Sequence, residues 1–299
     1  MSKAPEQESY LMPDGVEEKV ATMESCPGIS LQGSRRIAQL LFLAFMVGTV
    51  VFCLPFIKGI HFAGLEMNPF LQGLIFFLTA AQICHGYLSG SISNAWGLFF
   101  ISFLVSFSAE WIGMHWKGLF GSLHRYDSAL IPRLTEQVPV CIPLVWFWLA
   151  NTAMVFLRPL LIRWKGSRSR RRWLPMAVLG AFYITAMDFI IEPLGVSSGA
   201  WVWKEPGGYF GTPIWNFAGW FMVGFVICGS YLHWERPAPD QQKREIILSD
   251  GIFALVSIFL SLVCSAACLV RLKTFLPAGL ALSIMVPYWI YWAVSLRKS

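Results

Sequence analysis

Two carboxylates, Asp188 and Glu192, stand four residues apart inside an apolar run, within the stretch MDFIIEPLGVSSGAWVWKEPGGYFGTPIWNFAGW from Met187 to Trp220. On a helix that spacing puts both on one face, about one turn or roughly 6 Å apart. An ionisable group within a membrane span costs about 3 kcal/mol or more, so it usually faces a bundle interior or a polar cavity. Burial and a neighbouring carboxylate both disfavour the charged form of such a group. A carboxylic acid kept protonated near neutral pH can act as a general acid. Pro193 disfavours helix at the residue before it, which predicts Glu192 at a helix end and Asp188 one turn deeper. The structural alternative is a pair of carboxylates bonded to a neighbouring helix or loop.

Aromatic residues follow the acids closely: Trp201, Trp203, Tyr209 and Trp220, with Gly207, Gly208 and Asn216 between them. Aromatic faces attract cationic charge. A carbocation made by protonating an alkene needs such surroundings, dry and without competing nucleophiles. The plainer reading is an aromatic belt at the membrane interface. Upstream, EWIGMHWKGLFGSLHRY from Glu110 to Tyr126 adds a third carboxylate, His115, His124 and Tyr126. Its plainer reading is an interfacial loop. The histidines His61, His85, His115, His124 and His233 lack the paired spacing of a zinc or di-iron site. His115 and His124 share the side of the acids and could assist proton supply. His85 and His233 fall at the other ends of their helices and read as interfacial.

These groups need a membrane scaffold. Hydrophobic residues make up 56% and charged residues 13% of the 299, and mean hydropathy is +0.57. That composition predicts an all-α, polytopic membrane bundle rather than a large soluble core. Spanning runs recur at about 37–57, 68–89, 94–113, 139–161, 174–192, 213–233, 251–271 and 275–296, giving about eight helices. Residues 1–34 are polar and acidic and are expected to form a disordered cytoplasmic tail. Residues 35–299 form the transmembrane domain, with a C-terminal helix pair at 251–296 that reads as scaffold or lipid-facing wall. All seven cysteines except Cys26 lie in apolar runs and read as small buried hydrophobes.

The net charge of +6 is concentrated in short segments between spans, which is a topology signal rather than a nucleic-acid footprint, so no nucleic-acid partner is expected. The most basic stretch, RWKGSRSRRR at 163–172, should stay inside. Alternation from it places both termini inside, in a multi-pass protein of the inner (cytoplasmic) membrane. The ends carrying Glu110, Asp188 and Glu192 then gather at the outer face.

The pattern acid-P-x-x-x…W-x-W…G-G-Y-x-G-x-P…N-x-x-G-W, here Glu192-Pro193, Trp201, Trp203, Gly207, Gly208, Tyr209, Gly211, Pro213, Asn216, Gly219 and Trp220, resembles the membrane-bound carotenoid biosynthesis family that includes the CruF-type carotenoid hydratases. Glu110, Gly113, Gly118, Gly121 and Tyr126 resemble its upstream pattern E-x-x-G…G-x-x-G…Y, and Val138-Pro139 with Trp146 fits the helix that follows. The likeness covers roughly residues 95–235. The family pattern has Asp-Pro where this chain has Glu192-Pro193, and a further aromatic where it has Ser122-Leu123-His124.

The resemblance implies addition of water to the terminal double bond of an acyclic carotenoid, lycopene-like or gamma-carotene-like, giving a tertiary alcohol without metal or other cofactor. Asp188 or Glu192 would donate the proton, with Asp188 favoured because it is deeper. Glu110 or the partner carboxylate would hold the water. Trp201, Trp203 and Tyr209 would stabilise the cation, and Asn216, Trp220, Tyr126 and His115 complete the expected substrate-binding set. The partners it implies are the carotenoid, the lipid bilayer and other carotenoid enzymes. Three other readings stay open. A cyclase or isomerase would share the protonation step. A prenyl-transferring enzyme would use the Asp188-x-x-x-Glu192 pair with magnesium. A transport or assembly protein would use neither.

Overall fold

The computed structural model describes residues 31–57, 68–89, 92–163, 173–235 and 243–296. Most of the expected tail, all but the first residue of the basic stretch, residues 236–242 and the terminal Arg297 and Lys298 lie outside the described residues. The chain divides into a unit of residues 1–37 and a larger unit of residues 38–299, which holds the site.

The apolar runs fold as helices α1 (Leu31–Ile57), α2 (Asn68–Leu88), α3 (Ile92–His115), α4 (Cys141–Arg163), α5 (Trp173–Ser198), α6 (Trp215–Trp234), α7 (Lys243–Leu272) and α8 (Leu276–Leu296). Among the described residues, seven helices are long and apolar enough to cross a membrane. Large side chains such as Leu40, Val47, Leu104, Val270 and Ile290 are exposed on them, as expected of a lipid-facing surface. The protein is an all-α, multi-pass membrane bundle. Three boundaries differ most from expectation. α1 begins at Leu31, inside the predicted tail, α5 continues six residues past Glu192 to Ser198, and α7 begins at Lys243 rather than at about 251.

α5 is apolar all round and packs against α4, α6, α7 and α8. This is the pattern of a helix in the middle of a bundle. Its continuation through Pro193 corrects the expected stop at Glu192. Proline lacks the N–H that would bond the carbonyl four residues back, here Phe189, and so normally leaves that acceptor orphaned. The Tyr209 hydroxyl donates to the Phe189 carbonyl at 3.0 Å and takes its place. The helix therefore survives the proline, and Glu192 lies within it.

The segments 114–138 and 193–213, expected as loops, contain two short strands. β1 (His124–Tyr126) and β2 (Trp201–Trp203) pair antiparallel, with His124 opposite Trp203 and Tyr126 opposite Trp201. Side chains alternate across a strand. Arg125 and Val202 are accordingly exposed, while His124, Tyr126, Trp201 and Trp203 share the other face.

At the opposite end of the helices, α2, α4 and α7 meet through a buried charged cluster. Arg158 donates to Asp250 Oδ1 and Oδ2 at 2.6 and 2.8 Å. His85 Nε2 lies 2.8 Å from Asp250 Oδ1, and its ring stacks on Phe253 at 4.8 Å. Asn151 reaches the other ring nitrogen at 3.5 Å. His85 is 1% exposed, which corrects its reading as interfacial. This cluster ties α7 to α2 and α4.

Breaking one partner of a buried ion pair strands the other charge. Asp250→Leu is expected to destabilise the protein by about 3–5 kcal/mol, with Arg158→Met/Asp250→Leu recovering part of the loss. Chemical denaturation in detergent reads both. A second cycle tests the proline repair. Tyr209→Phe should cost about 1–3 kcal/mol by orphaning the Phe189 carbonyl, and much less when combined with Pro193→Ala, which returns a backbone donor. Equal costs in the two backgrounds would refute the repair.

Candidate active site

Three carboxylates converge at the strand-bearing end, each supplied by a helix and each buried: Asp188 and Glu192 on α5, and Glu110 on α3. The ribbon is shared between two of them. From β2, Trp201 and Trp203 each donate an indole N–H to Glu192 Oε2 at 3.1 Å, and the Thr212 hydroxyl adds a third bond at 3.2 Å. From β1, Tyr126 donates to Glu110 Oε2 at 2.8 Å, and His124 Nε2 lies 3.1 Å from the same oxygen. Trp146 of α4 donates to Glu110 Oε1 at 3.3 Å. Indole N–H groups only donate, so both carboxylates are held as acceptors.

Asp188 is treated differently. Asn216, in the first turn of α6, donates to Oδ2 at 2.8 Å. Oδ1 is buried and has no hydrogen-bond partner. Both Glu192 and Glu110 lie close enough to act on Asp188 electrostatically. The spacing that predicted a shared helical face for Asp188 and Glu192 therefore holds, and tertiary structure brings Glu110 to the same place.

Aromatic rings enclose the acids. Trp146 stacks on Trp220 at 4.2 Å, His124 lies against Trp203 at 4.9 Å, and Tyr126 meets Trp201 edge-on at 6.0 Å. Tyr209 packs against Phe189, Phe210 and Phe217. Burial, and next the charge of Glu110, hold the Tyr126 phenol well above its usual range. It remains an O–H donor to Glu110 at neutral pH.

Close approach explains two of the glycines. A Cβ on Gly195 would fall 1.9 Å from the Trp201 ring, and one on Gly113 would fall 2.3 Å from Phe120 and 3.3 Å from His124. Gly195 thus lets the β2 indole reach Glu192, and Gly113 clears space for the ring that reaches Glu110.

Nine of the ten expected site residues gather here. His115 does not. It is exposed, donates from Nδ1 to the Trp111 carbonyl at 2.6 Å and packs on the Trp111 ring. His124 takes the place that the expectation gave to His115. The alternation H-R-Y facing W-V-W was the available signal, since it puts His124, Tyr126, Trp201 and Trp203 on one face once the strands pair. Trp146 and Thr212 were also missed as donors. Each is distant in sequence from the carboxylate it bonds.

Residues 68–287 match the carotenoid biosynthesis protein family, a wider extent than the 95–235 covered by the motifs. A bisanhydrobacterioruberin hydratase of Haloarcula japonica is 28% identical over 123 residues, which is 41% of this chain and 40% of the relative. The alignment thus spans well under two thirds of that protein's length. No solved structure matches the chain. With the family match covering well over half of its length, the chain belongs to the carotenoid biosynthesis protein family.

Proposed function

We propose that the protein is a carotenoid hydratase that adds water across the terminal double bond of an acyclic carotenoid by acid catalysis, giving a tertiary alcohol of the 1,2-hydratase type. The observation that carries this reading is Asp188 Oδ1, a fully buried carboxyl oxygen left without a partner beside two carboxylates held by donated hydrogen bonds. Asp188 donates its proton to the terminal alkene carbon, and the positive charge develops on the tertiary carbon. Asn216 fixes the carboxyl through Oδ2 and leaves Oδ1 to meet the substrate. The indoles of Trp201 and Trp203, turned by their bonds to Glu192, and the stacked Trp146 and Trp220 offer π faces to the cation. In a dry site such preorganised groups stabilise charge more strongly than they would in water.

Glu192 serves as the anchor of β2, because Trp201, Trp203 and Thr212 all donate to its Oε2 and tie it to that segment. Glu110 anchors β1 in the same way. The hydratase name of the Haloarcula japonica relative supports addition of water over cyclisation. A bundle whose acids sit at one end suits a long apolar substrate entering from the lipid. By the charge pattern of the loops, that end faces outward in the inner membrane.

Expression in cells that accumulate lycopene tests the reading, with pigments analysed by chromatography and mass spectrometry. The expected product is heavier by one water. Asp188→Asn should lower its yield by about 100- to 10,000-fold, and Glu192→Gln by less, since the amide oxygen still accepts the indole bonds. A product of unchanged mass with a shifted absorption spectrum would assign the protein to cyclisation or isomerisation instead.

A further inference from the structure

We propose that His124 is the base that removes a proton from the attacking water, with Glu110 positioning it; this rests on the hydratase reading above. Two buried side-chain atoms of the site lack a hydrogen-bond partner, Asp188 Oδ1 and His124 Nδ1. An orphaned polar atom is costly to bury and calls for a cause, and beside an acid with an open oxygen that cause is a reacting molecule that completes it. One is the acid already assigned. The other is an imidazole nitrogen.

The hydrogen bonds determine which imidazole nitrogen is basic. Nε2 faces Glu110 Oε2 at 3.1 Å, and the same oxygen accepts from Tyr126 at 2.8 Å. An acceptor oxygen on Nε2 fixes the ring proton there and leaves the lone pair on Nδ1. The ring cannot turn away easily. Phe120 and Tyr126 meet it edge-on at 5.8 and 5.3 Å, and Trp203 covers it at 4.9 Å. Glu110 has donors on both oxygens, whereas the three bonds to Glu192 all fall on Oε2 and leave its Oε1 as the competing acceptor, which the His124→Gln variant separates from the imidazole.

The step balances with water as the co-reactant. The Asp188 O–H bond breaks as the alkene π pair forms the new C–H bond, leaving a tertiary cation and a carboxylate. A water oxygen forms the C–O bond, and one of its protons moves to His124 Nδ1. Return of that proton to Asp188 restores both groups. The sum is one H and one OH added to the double bond.

His124→Gln separates this role from a structural one, because its amide N–H can still donate to Glu110 while the basic nitrogen is gone. The purified variant is incubated with lycopene in D2O, and alcohol and recovered carotene are read by mass spectrometry. Alcohol formation is expected to fall about 100-fold or more, while recovered carotene gains deuterium because the untrapped cation loses a neighbouring hydrogen in place of the deuteron that Asp188 delivered. Alcohol within about threefold of the parent would overturn the proposal. So would loss of deuterium uptake in a variant that still melts cooperatively. If His124→Gln does not fold, His124→Asn is judged by the same two products. Failure of the parent protein to give either alcohol or deuterated carotene overturns the hydratase reading and this proposal with it. An active parent with an equally active variant overturns this proposal alone.

Discussion

Three buried carboxylates at one end of an apolar bundle are the constraint on which the rest of the structure depends. Buried acids must be bonded or neutralised, since water no longer solvates them. The chain meets this demand with a three-residue ribbon whose bundle-facing side carries only groups able to donate. β1 gives His124 and Tyr126 to Glu110, and β2 gives Trp201 and Trp203 to Glu192. Pairing of the strands fixes the two sets relative to each other. The ribbon thereby couples α3 to α5 at the end where both acids lie.

The same device yields chemical asymmetry. Glu110 accepts donors on both oxygens and Glu192 three on Oε2, whereas Asp188 keeps a fully buried oxygen unsatisfied next to them. Carboxyl groups placed close together but in different surroundings take different roles, because each neighbour either stabilises or opposes its charge. Support for this arrangement extends down α5. Tyr209 repairs the backbone at Phe189 where Pro193 cannot donate, so both acids stay on one continuous helix. A break at Glu192 would have freed the second carboxylate to point elsewhere.

The opposite end shows another answer to the same physical problem. Asp250 is buried beside Arg158 and His85, so its charge is offset by a cation rather than by neutral donors. This arrangement binds helices and leaves no oxygen of Asp250 without a partner. The comparison explains why one end reads as chemical and the other as structural, although both bury acids and a histidine.

Sequence alone determined the membrane class, the helices and the two acids of α5, because hydrophobic length and the four-residue spacing are local properties that survive any packing. Glu110, Trp203, Asn216 and Trp220 were legible as candidates through motif and composition. Their partners were not. Trp146 bonds a carboxylate 36 residues away, His85 meets Asp250 across 165 residues, and nothing local encodes either contact. The ribbon was missed because three-residue strands among aromatics and glycines carry too short a period to distinguish from loop. Extension of α5 beyond Pro193 also needed Tyr209, which lies outside the helix. Only tertiary structure decided which histidine joins the site and which carboxyl oxygen remains unpaired. Hydrogen-bond satisfaction in a buried cluster depends on every neighbour at once, and those neighbours come from different helices.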